Sequence, residues 1–140
     1  MKLVISSLFI LLMNMSAFSQ EVNVTNLNTV IPEKSFDNVT LKKLYSDENS
    51  SYFVIWIKKD VASHKHADHS EGIIVLDGTG KMTLGKKSFE VKQGDHFVIP
   101  KNTYHAVEVT SKKPLKVVSI QAPKFTGEDR IYESKKKSSY

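Results

Sequence analysis

Hydrophobic positions in this chain fall in short stretches that alternate with polar positions or run unbroken, and turn-forming residues separate them at close intervals. Residues 52–57 are β-branched or aromatic throughout, which indicates a strand buried on both faces. Residues 39–45 alternate well enough to predict another strand. No window of useful length shows a helical repeat with capping residues. We therefore predict an all-β sandwich or small barrel, with further strands at residues 73–76, 81–84, 88–91, 96–99, 103–109 and 115–121.

Turn-forming residues support this division of the chain. Residues 77–78 (Asp-Gly) are a tight-turn signal that closes the apolar run before them, and residues 85–87 (Gly-Lys-Lys) predict a hairpin. Pro123 ends the last predicted strand. Residues 20–32 are polar, and they indicate either a lead-in segment or a weak edge strand.

The N-terminus has the three parts of a secretory signal peptide. Lys2 gives a positive start, residues 3–15 are nearly all apolar, and residues 17–19 offer small side chains where a signal peptidase reads them. Cleavage is expected between Ser19 and Gln20. A membrane anchor is the alternative, but the apolar run is short of the ~20 residues that span a bilayer. We expect an exported protein, periplasmic or secreted, that is not held in the membrane after cleavage.

Length and composition narrow the possibilities further. The 140 residues indicate a single domain, and the absence of cysteine excludes disulfides and a lipid-modified cysteine. The formal net charge of +5 is spread thinly apart from residues 135–137, so we expect no nucleic-acid partner. We divide the chain into a signal peptide (1–19), a lead-in segment (20–38), a barrel (39–123) and a polar, basic tail (124–140).

Candidate chemistry is concentrated between residues 64 and 78. His64 and His66 are two positions apart, so on a strand both side chains project from one face. Glu71 heads the next apolar run and has the parity of its inward positions. Two imidazoles and a carboxylate on neighbouring strands form a divalent-metal site on ligand chemistry alone, and His105 supplies a further imidazole.

The same residues carry a family resemblance. His64, His66, Glu71 and Gly78 match, without a gap, the pattern His-x-His, four residues, Glu, six residues, Gly. This pattern resembles the first motif of the cupin superfamily. The glycine that usually stands six positions before the first histidine is replaced by Lys58.

A second stretch resembles the second cupin motif, which reads Gly, five residues, Pro-x-Gly, two residues, His, three residues, Asn. Gly94, Pro100 and His105 match it, whereas Asn102 replaces the middle glycine and Val109 the final asparagine. Asparagine is the residue that best tolerates the left-handed conformation of a glycine turn. We therefore expect Asn102 to take the place of that glycine in the backbone.

The resemblance implies a small, single-domain, metal-binding cupin of the conserved-barrel type, with a jelly-roll fold. It implies one divalent transition metal per chain, and three imidazoles with one carboxylate suit Fe, Mn, Ni, Cu or Zn better than Ca or Mg. Family members commonly pair through their sheets, so a homodimer is expected. The implied metal ligands are His64, His66, Glu71 and His105.

A divalent ion held by one carboxylate leaves a positive centre, which should attract a small anionic oxygen ligand such as a carboxylate. Open coordination positions favour an enzyme acting as an oxygenase, isomerase or lyase, with an oxidoreductase such as a dioxygenase preferred. The alternative is a non-catalytic cupin that binds a small ligand or a metal. No catalytic residue and no further cofactor site is predicted. Candidate pocket-lining residues are Ile73, Val75 and Val107.

Two further histidines are interpreted differently. His69 lies in the connection between the ligands and is expected to be solvent-exposed, with a fifth ligand or a proton shuttle as the alternative. His96 has the opposite parity to its apolar neighbours and is expected not to bind metal. The metal-free alternative for the whole group is a hydrogen-bonded polar cluster, which would be costly to bury unless every polar group found a partner.

Overall fold

The structure is a computed structural model that describes residues 22–134. This part of the chain forms ten strands and no helix, in two five-stranded sheets whose neighbours are all antiparallel, which confirms the predicted all-β jelly-roll fold. No helix that could cross a membrane occurs within these residues. The strands are β1 (Val39–Ser46), β2 (Ser51–Ile57), β3 (Asp60–His66), β4 (Ser70–Asp77), β5 (Thr79–Leu84), β6 (Lys87–Lys92), β7 (His96–Ile99), β8 (His105–Val109), β9 (Leu115–Ala122) and β10 (Arg130–Tyr132).

The chain passes repeatedly from one sheet to the other. The first sheet has the order β1-β2-β9-β4-β7, and the second has the order β10-β3-β8-β5-β6. Consecutive strands β2, β3, β4 and β5 therefore change sheet at each step. As a result, β3 and β4, which carry the first motif, lie in opposite sheets, with their inward faces towards a common interior.

Apolar side chains that point inward from alternate positions of the strands fill that interior. Ile73 and Val75 of β4, Val117 of β9 and Met82 of β5 are buried in one apolar cluster that draws on both sheets. Burial of such side chains is the main favourable contribution to folding in a chain without disulfides.

Strand β2 is buried on both faces, as the sequence predicts. Phe53 and Ile57 line the interior cavity, whereas Val54 and Trp56 have the opposite parity and are also buried. The residues before β1 lie near this second face. The ammonium of Lys116 donates to the carbonyl oxygens of Leu27, at 2.6 Å, and Val30, at 2.8 Å.

The described part of the lead-in segment contains no strand, so of the two alternatives for residues 20–32 the edge strand does not form within residues 22–32. The signal peptide prediction falls on residues that the structure does not describe, and it stays a prediction. The same holds for residues 135–137 of the basic tail.

Two turn positions show why the motif needs particular residues. Asn102 has φ 60°, which confirms that asparagine takes the left-handed conformation here. Gly78 has φ 79°, and a Cβ at this position would lie 2.7 Å from the carbonyl oxygen of Pro114. A side chain at this position would therefore meet backbone atoms where the chain passes from β4 to β5 beside β9, which favours glycine.

A strand that the sequence analysis does not predict closes the second sheet. Strand β10 pairs with β3, with Arg130 opposite His66 and Tyr132 opposite His64. Three residues in a polar surrounding are too short for a period-two pattern to stand out, and the strand forms because the edge of β3 offers it hydrogen bonds. Residues after Pro123 therefore reach the edge of the candidate site.

Candidate metal centre

The four predicted ligands lie together between the two sheets. His64 and His66 are at the end of β3, Glu71 is near the start of β4, and His105 is the first residue of β8. His64 and His105 are direct partners across the β3–β8 pair. All four side chains are buried, with exposed fractions of 3 to 6%.

The nitrogens of the three imidazoles converge. His64, His66 and His105 each offer a ring nitrogen, and these atoms lie within 4.8 Å of one another. Oε2 of Glu71 lies 3.7 Å from Nε2 of His66 and 3.7 Å from Nε2 of His105. The structure thus brings three nitrogens together and places one carboxylate oxygen beside two of them.

Backbone carbonyls fix the protonation of two of these rings. Nδ1 of His64 donates to the carbonyl oxygen of Ala62 at 2.8 Å, and Nδ1 of His105 donates to that of Thr103 at 3.0 Å. A carbonyl oxygen only accepts, so the proton of each neutral ring stands on Nδ1. Each Nε2 keeps its lone pair, which is the form that binds a metal.

The carboxylate of Asp129 fixes the position of the proton on the third ring, that of His66. Nδ1 of His66 lies 3.4 Å from Oδ1 of Asp129, and the carboxylate can only accept from it. The other oxygen, Oδ2, lies 2.7 Å from Nδ1 of His69 and accepts the backbone N–H of Asp68 at 3.2 Å. Asp129 thus joins His66 and His69 to the segment between β9 and β10.

The expectation that His69 is solvent-exposed is wrong. Its exposed fraction is 1%, because the segment after Pro123 folds over it and Phe125 packs edge-on at 5.5 Å between ring centroids. Nε2 of His69 has no hydrogen-bond partner within the part of the chain that the structure describes. His96, in contrast, lies exposed on β7, away from the cluster.

Two side chains of β9 hold the glutamate in place. The hydroxyl of Ser119 and the amide Nε2 of Gln121, at 3.3 Å, both donate to Oε1 of Glu71. The amide also donates to Oγ of Ser119 at 3.0 Å. With Oε1 occupied, Oε2 is the oxygen that faces the histidines. The sequence carried a signal for these residues, since both are polar at inward positions of an apolar strand.

Burial keeps the imidazoles neutral. It lowers the pKa of His64 to about 4 against an opposing effect of the Ala62 carbonyl, and the charges of His105 and Arg130 lower it further. Burial likewise lowers the pKa of His66 to about 4 and lowers the pKa of His105. The lowered pKa values therefore reduce competition between protons and a metal ion for the three nitrogens near neutral pH.

The carboxylate of Asp129 is held in its charged form. Burial acts to raise its pKa, but the hydrogen bond from the Asp68 backbone and the neighbouring His69 and His66 lower it below its usual range. A charged carboxylate behind His66 increases the basicity of that ring as a ligand. The donor set of the cluster therefore fits a transition-metal ion that prefers imidazole nitrogen with one carboxylate.

A cavity of about 410 Å³ extends from the cluster into the barrel, which is within the size range of small-molecule sites. Ile73 and Val75 of β4 and Val107 of β8 lie in its wall, together with other apolar core residues. Arg130 and Tyr132, which the sequence analysis did not single out, also line it. The cavity therefore has an apolar interior, and the four candidate ligands lie in its wall.

Comparison with known proteins matches this architecture. The family model described as "Cupin domain" matches residues 52–121, which is half of the chain. An uncharacterized protein of Aquifex aeolicus is 31% identical over 99 residues, covering 71% of this chain and 81% of that protein.

Two further proteins are similar over different shares of their length. The mannose-1-phosphate guanylyltransferase RfbM of Salmonella typhimurium is 33% identical over 98 residues, covering 67% of this chain, but the match spans only 20% of that enzyme. A Klebsiella pneumoniae protein with a double-stranded β-helix domain superposes with a TM-score of 0.68 at 18% identity, covering 82% of this chain and all of that one. At that identity the likeness concerns the fold alone.

Proposed function

This chain belongs to the cupin family, and on that premise we propose that it binds one divalent transition-metal ion and uses it to bind a small oxygenated carboxylate. The observation that carries the metal proposal is the shared arrangement of three rings. Each has Nδ1 engaged by an oxygen acceptor and Nε2 left for a ligand bond. The proposed ligands are His64, His66, Glu71 and His105.

The polar groups behind the ligands explain why such a cluster can be buried. Three histidines and a glutamate would be costly inside an apolar barrel if their polar atoms lacked partners. Ala62, Thr103 and Asp129 accept from the rings, and two side chains of β9 donate to the glutamate. The atoms left without such partners are Nε2 of each histidine and Oε2 of the glutamate. A cation bound by these atoms would satisfy all of them.

Bound metal would supply Lewis-acid polarisation of a ligand oxygen, or activation of dioxygen if it is iron. The chain itself supplies the surroundings. The mostly apolar cavity wall lowers the local dielectric, which strengthens attraction between a positive centre and an anion. We propose Fe, Mn, Ni, Cu or Zn as the ion, and an oxidoreductase such as a dioxygenase before an isomerase or lyase.

A non-catalytic binding protein is the second candidate, and one observation favours it. Isomerases and lyases need a group that moves a proton, yet the polar atoms of Glu71 and the three histidines are committed to one another and to the residues behind them. A barrel with this site could therefore capture an anion without changing it.

Metal analysis tests the proposal directly. The protein recovered from its native compartment should contain about one divalent transition-metal ion per chain, and a chelator should lower its melting temperature because the ion binds only the folded state. His105→Ala should lose both the metal and the response to the chelator. If this variant retains the metal content of the wild type, His105 is not a ligand.

Turnover distinguishes the two candidates. We propose incubating the metal-loaded protein with 2-hydroxy and 2-keto carboxylates, and with mannose 1-phosphate because of the similarity to a guanylyltransferase of that name. An enzyme consumes one of these compounds and loses the activity together with the metal in His64→Ala. A binding protein returns the ligand intact. Binding of mannose 1-phosphate without binding of any carboxylate would contradict the proposed ligand class.

We also propose that the chain is exported and forms a homodimer. Strand β1 is the edge of its sheet and exposes Tyr45, with an exposed fraction of 56%. Burying such an edge against a second copy removes both apolar surface and unpaired backbone groups from water. Export is tested by the intact mass of the protein from the cell envelope or medium, which should correspond to a chain that starts at Gln20. The homodimer is tested by light scattering, which should give twice that mass.

A further inference from the structure

Strand β10 places two exposed side chains at the mouth of the cavity. Residues directly opposite each other in an antiparallel pair project from the same face of the sheet. Arg130 is opposite His66 and Tyr132 is opposite His64, so both share the face of the candidate metal ligands. Both also line the cavity. Ile131, between them, is opposite Lys65 and points to the outside.

Arg130 has a distinctive position in this cavity. Among residues 22–134 it is the only lysine or arginine that lines the cavity, and no carboxylate of this part of the chain lies within ion-pair distance of its guanidinium. An unpaired guanidinium thus stands at the rim of a site that already favours anions.

We propose that Arg130 recognises the anionic group of the ligand, and that this ligand is a small monocarboxylate with an apolar body. The proposal rests on the proposed function, because it concerns the ligand of the same cavity. The planar guanidinium offers two parallel N–H donors that match a carboxylate. A second negative charge on the ligand would find no further lysine or arginine in the described cavity wall.

The apolar body follows from the rest of the cavity. Val39 and Leu41 of β1 line the cavity with high exposure, and Val75 and Val117 line its interior. Most residues of the cavity wall are apolar, so many hydroxyls of a sugar or a polyol would lose hydrogen bonds to water without finding a new partner. A phenyl or branched aliphatic group would instead gain from contact with these apolar residues.

Calorimetric titration of the zinc-loaded chain tests the proposal, since zinc is redox-inert and leaves the ligand intact. The probes are mandelate, its neutral amide mandelamide, and lactate, which has the same hydroxy-acid group without the phenyl ring. Mandelate should bind more tightly than either of the others. Arg130→Met should weaken mandelate binding about tenfold or more, as expected for the loss of a charge-assisted pair, and Arg130→Lys should recover only part of it.

A matched control separates recognition from general charge. Lys65→Met removes one positive charge from the neighbouring strand but on the outer face, so it should leave the mandelate affinity unchanged. Zinc content should be the same in all variants. Equal mandelate affinity of wild type and Arg130→Met would overturn the proposal, and so would tighter binding of mandelamide or lactate than of mandelate.

Failure of the proposed metal binding can be distinguished from failure of ligand recognition by Arg130. If the chain binds no metal, the metal proposal fails, while Arg130-dependent binding of mandelate to the chelator-treated chain would still support recognition by Arg130. If the zinc-loaded wild type binds none of the probes, both proposals about the ligand are overturned, although the metal site is not.

Discussion

The carboxylate of Asp129 lies 2.7 Å, from Oδ2 to Nδ1, from the imidazole of His69, and both side chains are buried. The second oxygen of the same carboxylate faces Nδ1 of His66 at 3.4 Å. One anionic group from the segment after β9 therefore contacts a proposed metal ligand and a histidine that lies outside the ligand set. This arrangement ties the C-terminal segment to the metal centre.

Asp129 is the residue behind His66, so its replacement should weaken metal binding without removing a ligand. In Asp129→Asn the ring loses its anionic acceptor, and an amide can present a donor to Nδ1 instead. We expect the metal affinity to fall by about 10- to 100-fold, as for other partners of ligating histidines. Competition with a chelator of known affinity measures the change.

The control for this variant is Asp77→Asn, which alters an exposed aspartate paired with Lys113. Its metal affinity should equal that of the wild type. Circular dichroism of the metal-free proteins shows whether each variant is folded. An unchanged affinity in folded Asp129→Asn would mean that the carboxylate does not act through His66.

His69 should contribute to stability rather than to ligation. His69→Ala removes a fully buried ring, leaves a cavity beside Phe125, and takes away a partner of the Asp129 carboxylate. We expect the free energy of unfolding of the metal-free protein to fall by about 2 kcal/mol or more. Urea titration measures the loss.

The exposed His96 provides the matched comparison. His96→Ala should change the free energy of unfolding by less than about 0.5 kcal/mol, as is usual at the surface. Similar small effects of the two substitutions would show that burial of His69 contributes little to the fold.

Within residues 22–134, Glu71 is the only carboxylate that forms a close contact with Nε2 of the candidate ligand imidazoles, those of His66 and His105. Glu71→Gln keeps the shape of the side chain and an oxygen that can accept from Ser119, but removes the charge. The affinity for a divalent ion should fall by at least about tenfold, because the attraction between opposite charges is strong in a low dielectric. Isothermal titration with zinc measures it.

Without metal, Glu71→Gln should not be destabilised. Its melting temperature should be at or above that of the metal-free wild type, because a buried carboxylate has been replaced by a neutral amide. Glu90→Gln, on the exposed side of β6, should change neither property. A zinc affinity of Glu71→Gln equal to that of the wild type would exclude the carboxylate as a ligand.

The parts of the fold that the sequence predicts are those set by local spacing. The strand at residues 96–99 has the same bounds in the structure, and residues 115–121 differ from β9 by one residue. Period-two alternation and turn residues decide such elements within a few positions. The histidine spacing is equally local, since two positions on a strand suffice to place His64 and His66 on one face.

The parts that the sequence does not predict depend on contacts between distant positions. Asp129 is 63 positions from His66 and 61 from Asp68, and no local pattern links them. Strand β10 has only three residues, so it forms through pairing with β3 rather than through its own periodicity. His69 resembles any loop histidine until the C-terminal segment covers it.

The two motif glycines should differ in how much they tolerate a side chain. Gly78 and Gly94 both have positive φ, at 79° and 91°, so alanine at either position meets backbone strain of about 1 to 2 kcal/mol. Their surroundings are different. A Cβ at Gly78 would lie 2.7 Å from the carbonyl oxygen of Pro114 and 2.9 Å from Cα of Leu115, whereas a Cβ at Gly94 would meet nothing within 4 Å. Backbone atoms cannot move aside as the end of a side chain can, so Gly78→Ala should add an overpacking loss of about 1 to 3 kcal/mol to the strain.

Urea titration of the metal-free proteins measures the free energy of unfolding of both variants. We expect the larger loss for Gly78→Ala, and for Gly94→Ala a loss that reflects the backbone strain alone. Equal losses at the two positions would show that β4 and β5 can move away from β9 at little cost, and that only the left-handed backbone requires glycine at residue 78.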